Sequence, residues 1–175
     1  MAGSVEPGSD KLLFLPWLSG ERAPVLDHYA RGGFVGLSLG HTKRHLARAV
    51  MEGVAFHIRW ICEALERLGL TFSAINAIGG GSTSPVWTQI ISDITGRPLS
   101  VVEHPQEAGA MGAALSVAVG LGIYPNMEAV DEVIKIHHTV EPRLQNQARY
   151  ADFYREYRAL YEALAPIYRN LYEVA

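Results

Sequence analysis

The 175-residue chain reads as an α/β layered protein with a largely parallel sheet, and three observations predict it. Short apolar or alternating runs recur between longer stretches whose apolar residues fall at three- and four-residue spacing. The alternating run at residues 72–78 passes through Gly79, Gly80 and Gly81 directly into a helical pattern at 86–94. The same strand-then-helix order returns at 99–103 and 107–120. Strands alternating with helices in this way stack helices against a mostly parallel sheet.

Composition narrows the class. At 49% hydrophobic the chain can bury one substantial core, so one domain is expected. The net charge of −3 and the lack of a basic block argue against nucleic acid or anionic membrane as partners. A single cysteine, Cys62, cannot form an internal disulfide, which fits a reducing compartment. The most apolar run, 113–124, is interrupted by glycine and shorter than the ~20 residues that span a bilayer. A soluble, cytoplasmic protein is expected.

Taken in order, residues 1–11 are polar and small and are expected to be a loose segment. Leu12-Leu13-Phe14-Leu15 is a buried strand or an anchored extended segment, ended by Pro16. Residues 16–24 form a Pro- and Gly-containing loop, in which Glu21 and Arg22 are expected to pair and stitch the loop down. Residues 33–37 read as a strand. A long helix follows to about Leu68, with Leu46, Ala49, Val50, Val54, Ile58, Ile61 and Leu65 on its apolar stripe. Thr42 is its N-cap and Gly69 its stop. His41 and His45 share a face at i,i+4, but no third ligand lies at metal-binding spacing, so no metal is expected there. Glu52 and His57 read as polar residues beside the stripe.

The glycine turn at 79–81 is the most informative stretch. Glycines let the chain turn at positive φ and leave no side chain between backbone and ligand. Ser84 or a neighbouring hydroxyl caps the next helix and Pro85 suits its first turn. The free N–H groups of that helix end attract an anion such as a phosphate, which points to a nucleotide. A plain tight turn is the competing explanation. After the strand at 99–103, the helix at 107–120 opens almost entirely on Gly and Ala. Gly109, Gly112 and Ala113 therefore allow close approach, either of a ligand or of the sheet. Residues 126–143 read as a polar loop with His137 and His138 solvated. From Gln145 to about Glu173 a helix carries a tyrosine-rich stripe for packing on this chain, another domain or a second copy, with Pro166 expected to kink or interrupt it.

Several of these stretches together resemble the C-terminal domain of FGGY-family carbohydrate kinases, nearest the xylulokinase branch. They are Ser19-Gly20-Glu21-Arg22-Ala23-Pro24, the run from Gly32 through Gly36-Leu37 to Ala49-Val50-Met51-Glu52, the turn Gly79-Gly80-Gly81 with Ser84, Trp87, Gln89 and Asp93, and Glu107 to Ala114. The resemblance covers about Leu12 to the end. It implies an actin-like, ribonuclease-H-like α/β ATPase domain, with a mixed sheet and flanking helices, that works with ATP and Mg2+ on a sugar. It implies that the turn contacts adenosine and the α-phosphate. The expected nucleotide-binding residues are Gly79, Gly80, Gly81, Ser84, Gly109 and Gly112. The implied reaction moves the ATP γ-phosphoryl group to a sugar hydroxyl, a pentulose such as xylulose being favoured.

Family members are more than twice this length. The sugar-binding domain, the phosphate loops and the catalytic aspartate belong to the part before residue 1, and no Gly-Thr dipeptide occurs here. Asp10, Asp27, Asp93, Asp131 and Asp152 lack the context of a catalytic base, and Asp93 is expected to support the glycine turn. The expectation is a C-terminal portion, residues 12–175, with no catalytic residue or metal ligand of its own and inactive alone. The first strands of its sheet are missing, and the unpaired edge is covered by the N-terminal segment or by a second copy in a homodimer. Two other readings compete: a Rossmann-type dinucleotide domain, with Gly79, Gly81 and Glu103 in its fingerprint, and a non-catalytic interaction domain built on the tyrosine helix.

Overall fold

The computed structural model describes residues 2–174. Its elements run β1 (Leu13–Leu15), β2 (Gly33–Val35), α1 (Lys43–Arg67), β3 (Ile75–Ala77), α2 (Pro85–Thr95), β4 (Leu99–Val102), α3 (Ala108–Gly120), α4 (Val130–Val133), β5 (Ile136–Val140) and α5 (Leu144–Glu173). β1 and β2 form an antiparallel pair, and a separate three-stranded sheet has the order β3-β4-β5. β3 and β4 run parallel while β5 returns antiparallel. The sheet is thus mixed, not largely parallel. The difference lies in β5, a strand inside the segment expected to be loop. All of β5 but Val140 is exposed, and its middle residues His137, His138 and Thr139 are polar, so the apolar signal is weak.

α1 starts where the sequence places it. Thr42 caps it, with its hydroxyl accepting the Arg44 N–H, while His45 Nδ1 accepts the Thr42 N–H at 3.1 Å and closes a capping box. At the other end Gly69 takes φ +86. The core lies where α1, α2 and α5 meet β1: Leu15, Trp17, Phe56, Trp60, Ile90, Ile94, Tyr150 and Tyr157 are buried together. The tyrosine stripe therefore packs on its own chain. Tyr150, Tyr154 and Tyr157 are buried, and Trp17 lies edge-on to Tyr161 with centroids 5.2 Å apart. That removes the surface on which the interaction-domain reading rested. α5 runs through Pro166 without interruption. Pro166 is exposed, so water can take the carbonyl its missing N–H leaves free.

Glu52, 1% exposed, is a hub rather than a bystander. Its Oε1 accepts from Arg48 Nε at 2.7 Å, Tyr150 Oη at 2.8 Å and the Gly8 N–H at 3.0 Å. Arg48 in turn donates to Tyr150 Oη at 2.8 Å and to the Ala2 carbonyl at 3.4 Å. Burial pushes the Glu52 carboxyl upward, with Arg48 the main group opposing it. The i,i+4 spacing of Arg48 and Glu52 was visible, but Gly8 and Tyr150 come from distant parts of the chain.

Through this hub residues 2–11 are tied down instead of loose. Ser9, Asp10 and Lys11 all take positive φ (47°, 54° and 68°), a strain of about 1 kcal/mol each. The Ser9 hydroxyl donates to the His45 carbonyl at 2.6 Å and His41 Nε2 lies 3.1 Å from the Asp10 carbonyl, holding the turn. The two histidines thus serve the helix start and the turn.

The 16–31 loop is anchored differently from expectation. Glu21 pairs with His57 Nε2 at 3.0 Å, not with Arg22, and accepts the Arg22 and Ala23 N–H groups at 2.7 and 3.1 Å. His57 Nε2 faces only acceptors, Glu21 and the Ala23 carbonyl at 2.8 Å, so it carries a proton. Asp27 accepts from Tyr29 N–H, Ala30 N–H and Tyr161 Oη. Burial pushes its carboxyl up, but these hydrogen bonds and Arg169 outweigh it and hold the carboxyl below the usual aspartate range.

Replacing Arg48 with Met leaves Glu52 buried and unpaired, and is expected to lower unfolding free energy by about 3–5 kcal/mol, read by urea denaturation. Because the Asp27 carboxyl is depressed in the fold, its contribution is full above pH ~4 and lost as pH falls through its folded value. Acid unfolding of Asp27→Asn should accordingly show a shallower loss of stability below pH ~4 than the wild type.

Candidate functional site

β3 and β4 are parallel neighbours, so their C-terminal ends emerge side by side, the position where open α/β sheets take ligands. β3 leads into Gly79, whose φ of +83° and ψ of 175° only glycine adopts readily. One 3-10 turn, Gly80–Thr83, follows, and α2 then starts at Pro85 with Ser84 as N-cap, its hydroxyl accepting the Trp87 N–H at 3.4 Å. Ser82 and Thr83 hydroxyls close the turn on the Gly79 and Gly80 carbonyls, each at 2.7 Å. From β4 the chain passes through His104, at φ +49°, and Pro105 into α3. The Gly79 N–H donates to the Pro105 carbonyl at 2.6 Å, which locks the two strand ends together.

The six residues expected at a nucleotide divide by use. A side chain on Gly79, Gly80, Gly109 or Gly112 would meet nothing within 4 Å, so these backbones border open space. Open space over Gly109 and Gly112 argues against a tight helix–sheet contact as the reason for them. Gly81 is different: a Cβ there would run into the Trp87 ring, so its bareness serves packing. Ser84 is used as the cap. Among the described residues, the Gly80 and Gly81 N–H groups donate to no protein acceptor, as the first donors of a helical turn do not. The edge thus offers free donors and helix dipoles to an anion.

Asp93 does not support the glycine turn: its carboxylate accepts Gln89 Nε2 at 2.8 Å, Arg143 N–H at 2.8 Å and Asn146 Nδ2 at 2.7 Å, fastening the start of α5 to α2. Among the described residues no three His, Cys, Asp or Glu side chains come together to hold a metal ion. Sequence reasoning missed the role of Trp87, whose aromatic ring six residues after Gly81 was its one signal.

A sequence model of the FGGY family of carbohydrate kinases, C-terminal domain, matches residues 1–121. The xylulose kinase of Staphylococcus epidermidis is 37% identical over 163 residues, covering 93% of this chain and 33% of the relative. The gluconokinase of Bacillus subtilis is 36% identical over 172 residues, 98% of this chain and 31% of the relative. The ligand-bound xylulose kinase of Lactobacillus acidophilus superposes with a TM-score of 0.85 at 32% identity, covering 97% of this chain and 34% of that one. The chain spans about a third of the length of the curated relatives it matches. It belongs to the FGGY family of carbohydrate kinases and has the actin-like α/β ATPase fold of that family. The family, together with the antiparallel β5, displaces the Rossmann reading. No helix is long and apolar enough to cross a membrane among the described residues.

Gly81→Ala is expected to cost about 1–3 kcal/mol by forcing Trp87 from its place, whereas Gly80→Ala should stay within about 0.5 kcal/mol of wild type. Thermal melting monitored by circular dichroism compares the two.

Proposed function

We propose that this chain is the nucleotide-binding third of a sugar kinase, which moves the ATP γ-phosphoryl group to a sugar hydroxyl. The observation that carries the reading is the pair of bare backbones, Gly79-Gly80 and Gly109/Gly112, bordering open space at the ends of two adjacent parallel strands. Adenosine lies against these backbones, and the free N–H groups of Gly80 and Gly81 face the α-phosphate side. Gly81 and Ser84 shape the turn from behind, through Trp87 and the helix cap, more than they touch the ligand.

This chain's share of the reaction is to bind and orient the nucleotide, which lowers the entropic part of the barrier. The base that takes the hydroxyl proton belongs to the remaining two thirds of a relative's length. The described residues offer no ligand set for Mg2+, so the ion comes with the phosphates, where it supplies charge neutralisation. Xylulose kinases and a gluconokinase match the same span of this chain at similar identity, which fits sugar choice being made elsewhere. A pentulose such as xylulose is favoured as acceptor because most of the similar relatives are xylulose kinases. A cytoplasmic setting goes with the use of ATP, and no nucleic acid or membrane enters the reading.

Calorimetric titration with ADP tests it. Wild type should bind saturably, and Gly80→Val, whose Cβ meets no atom of the folded chain within 4 Å, should weaken binding about tenfold or more, ~1.4 kcal/mol. Phosphotransfer to xylulose or gluconate by this chain alone should be undetectable. Equal ADP affinity in wild type and Gly80→Val, or no binding at all, would overturn the site.

A further inference from the structure

His57 carries an inference that does not depend on the nucleotide reading. Its side chain projects from α1, is 12% exposed, and joins segments far apart in the chain. On one side Nε2 meets the 16–24 loop, with Glu21 Oε2 at 3.0 Å and the Ala23 carbonyl at 2.8 Å. On the other, Nδ1 meets the Trp17 indole N–H at 3.5 Å and Tyr157 Oη of α5 at 3.3 Å. Trp17 and Tyr157 are fully buried. An indole N–H only donates, so Nδ1 accepts and bears no proton. Both partners of Nε2 are acceptors, so that nitrogen bears the hydrogen. The ring is therefore neutral and fixed in one tautomer from both ends.

A second proton upsets the hydrogen count on the buried side. With a neutral ring, the Trp17 N–H and the Tyr157 O–H are two donors, and Nδ1 and the Tyr157 oxygen accept from them. Trp17 bonds to that oxygen as well as to the ring. Protonation turns Nδ1 into a third donor and leaves the Tyr157 oxygen as the one acceptor of the triad. Its lone pairs take the indole and imidazolium N–H groups, and the phenol's own hydrogen is stranded. A buried group without its bond is costly. Glu21 acts the other way, favouring a charged ring, but its Oε1 is held by the Arg22 and Ala23 N–H groups. Arg158 stands behind an aromatic ring, 4.2 Å over Trp60, which lies edge-on to His57. Tyr154 and Tyr161 of α5 commit their hydroxyls to Glu63 and Asp27.

We propose that His57 is a proton-operated latch on the 16–24 loop. Neutral, it fastens the start of the loop to α5 through Trp17 and Tyr157. A second proton, taken from solvent onto Nδ1, loosens that joint while the Glu21 contact remains. Histidine changes charge between about pH 5 and 8, so the joint is firm at the upper end of that span and loose at the lower.

NMR of the full chain, isotope-labelled at the histidine and tryptophan ring nitrogens, reads the outcome. In alkaline buffer His57 should show the Nε2–H pattern with Nδ1 unprotonated. On acidification the Trp17 indole signal should shift with the same midpoint as the His57 ring. In His57→Gln, which keeps a donor for Glu21 but cannot titrate, that Trp17 shift should vanish. Tyr157→Phe removes the oxygen that accepts in the charged state, so the His57 midpoint should fall by about one pH unit or more. An Nδ1–H tautomer, a ring averaging both tautomers, a Trp17 signal indifferent to His57, or an unmoved midpoint in folded Tyr157→Phe would each overturn the latch. If a variant does not fold, the tautomer and the shared midpoint in the wild type decide. ADP affinity is measured separately, so failure of the nucleotide site leaves the ring titration standing.

Discussion

One buried carboxylate holds this fold together. Glu52 sits inside α1 with three donors on a single oxygen, each from a different part of the chain: Arg48 from its own helix, Tyr150 from α5 and Gly8 from the N-terminal turn. A buried charge is costly unless paired and fully hydrogen-bonded, and removing any one partner exposes that cost. The three segments are therefore bound to one another through a single atom. The strained left-handed turn at Ser9–Lys11 persists because its neighbours on both sides are held. α5, once fixed at Tyr150, lays Tyr154 and Tyr157 over Phe56 and completes the core.

A second layer of constraint fixes the loop that precedes β2. Glu21 on His57 and Asp27 on Tyr161 connect it to α1 and α5. The two acids tether the loop by different means, a hydrogen bond from the His57 ring in one case and backbone N–H donors plus a phenol in the other. The result is a rigid helical platform from which the three-stranded sheet projects. The edge where β3 and β4 end is organised from behind: Trp87 fills the space that Gly81 leaves, Ser84 caps α2, and the Gly79 N–H bonds to the Pro105 carbonyl. The glycines left bare toward solvent, Gly79, Gly80, Gly109 and Gly112, are those without such duties.

Much of this was legible residue by residue. Thr42 and Gly69 announced the ends of α1, and Ser84-Pro85 the start of α2, because caps and turns are local chemistry written within four residues. The apolar stripe of α1 and the tyrosine repeat of α5 were readable for the same reason. β5 was not, since an exposed strand lacks apolar alternation and is decided by pairing with β4. Pro166 allows a kink or a break by the local rule, and the helix is not interrupted there, because an exposed helix face supplies water to the unmatched carbonyl. Glu21 was paired with its sequence neighbour, Arg22, when the structure gives it His57, 36 positions away.

The sequence by itself determined the family and the strand–glycine–helix order, because each depends on residue type at short spacing. Only the tertiary structure decided which glycines border open space and which meets Trp87, and whether α5 packs on its own chain or another. It also settled where residues 2–11 go. Those are questions of contact between segments tens of residues apart, and a single side chain looks the same in sequence whether its partner is present or not.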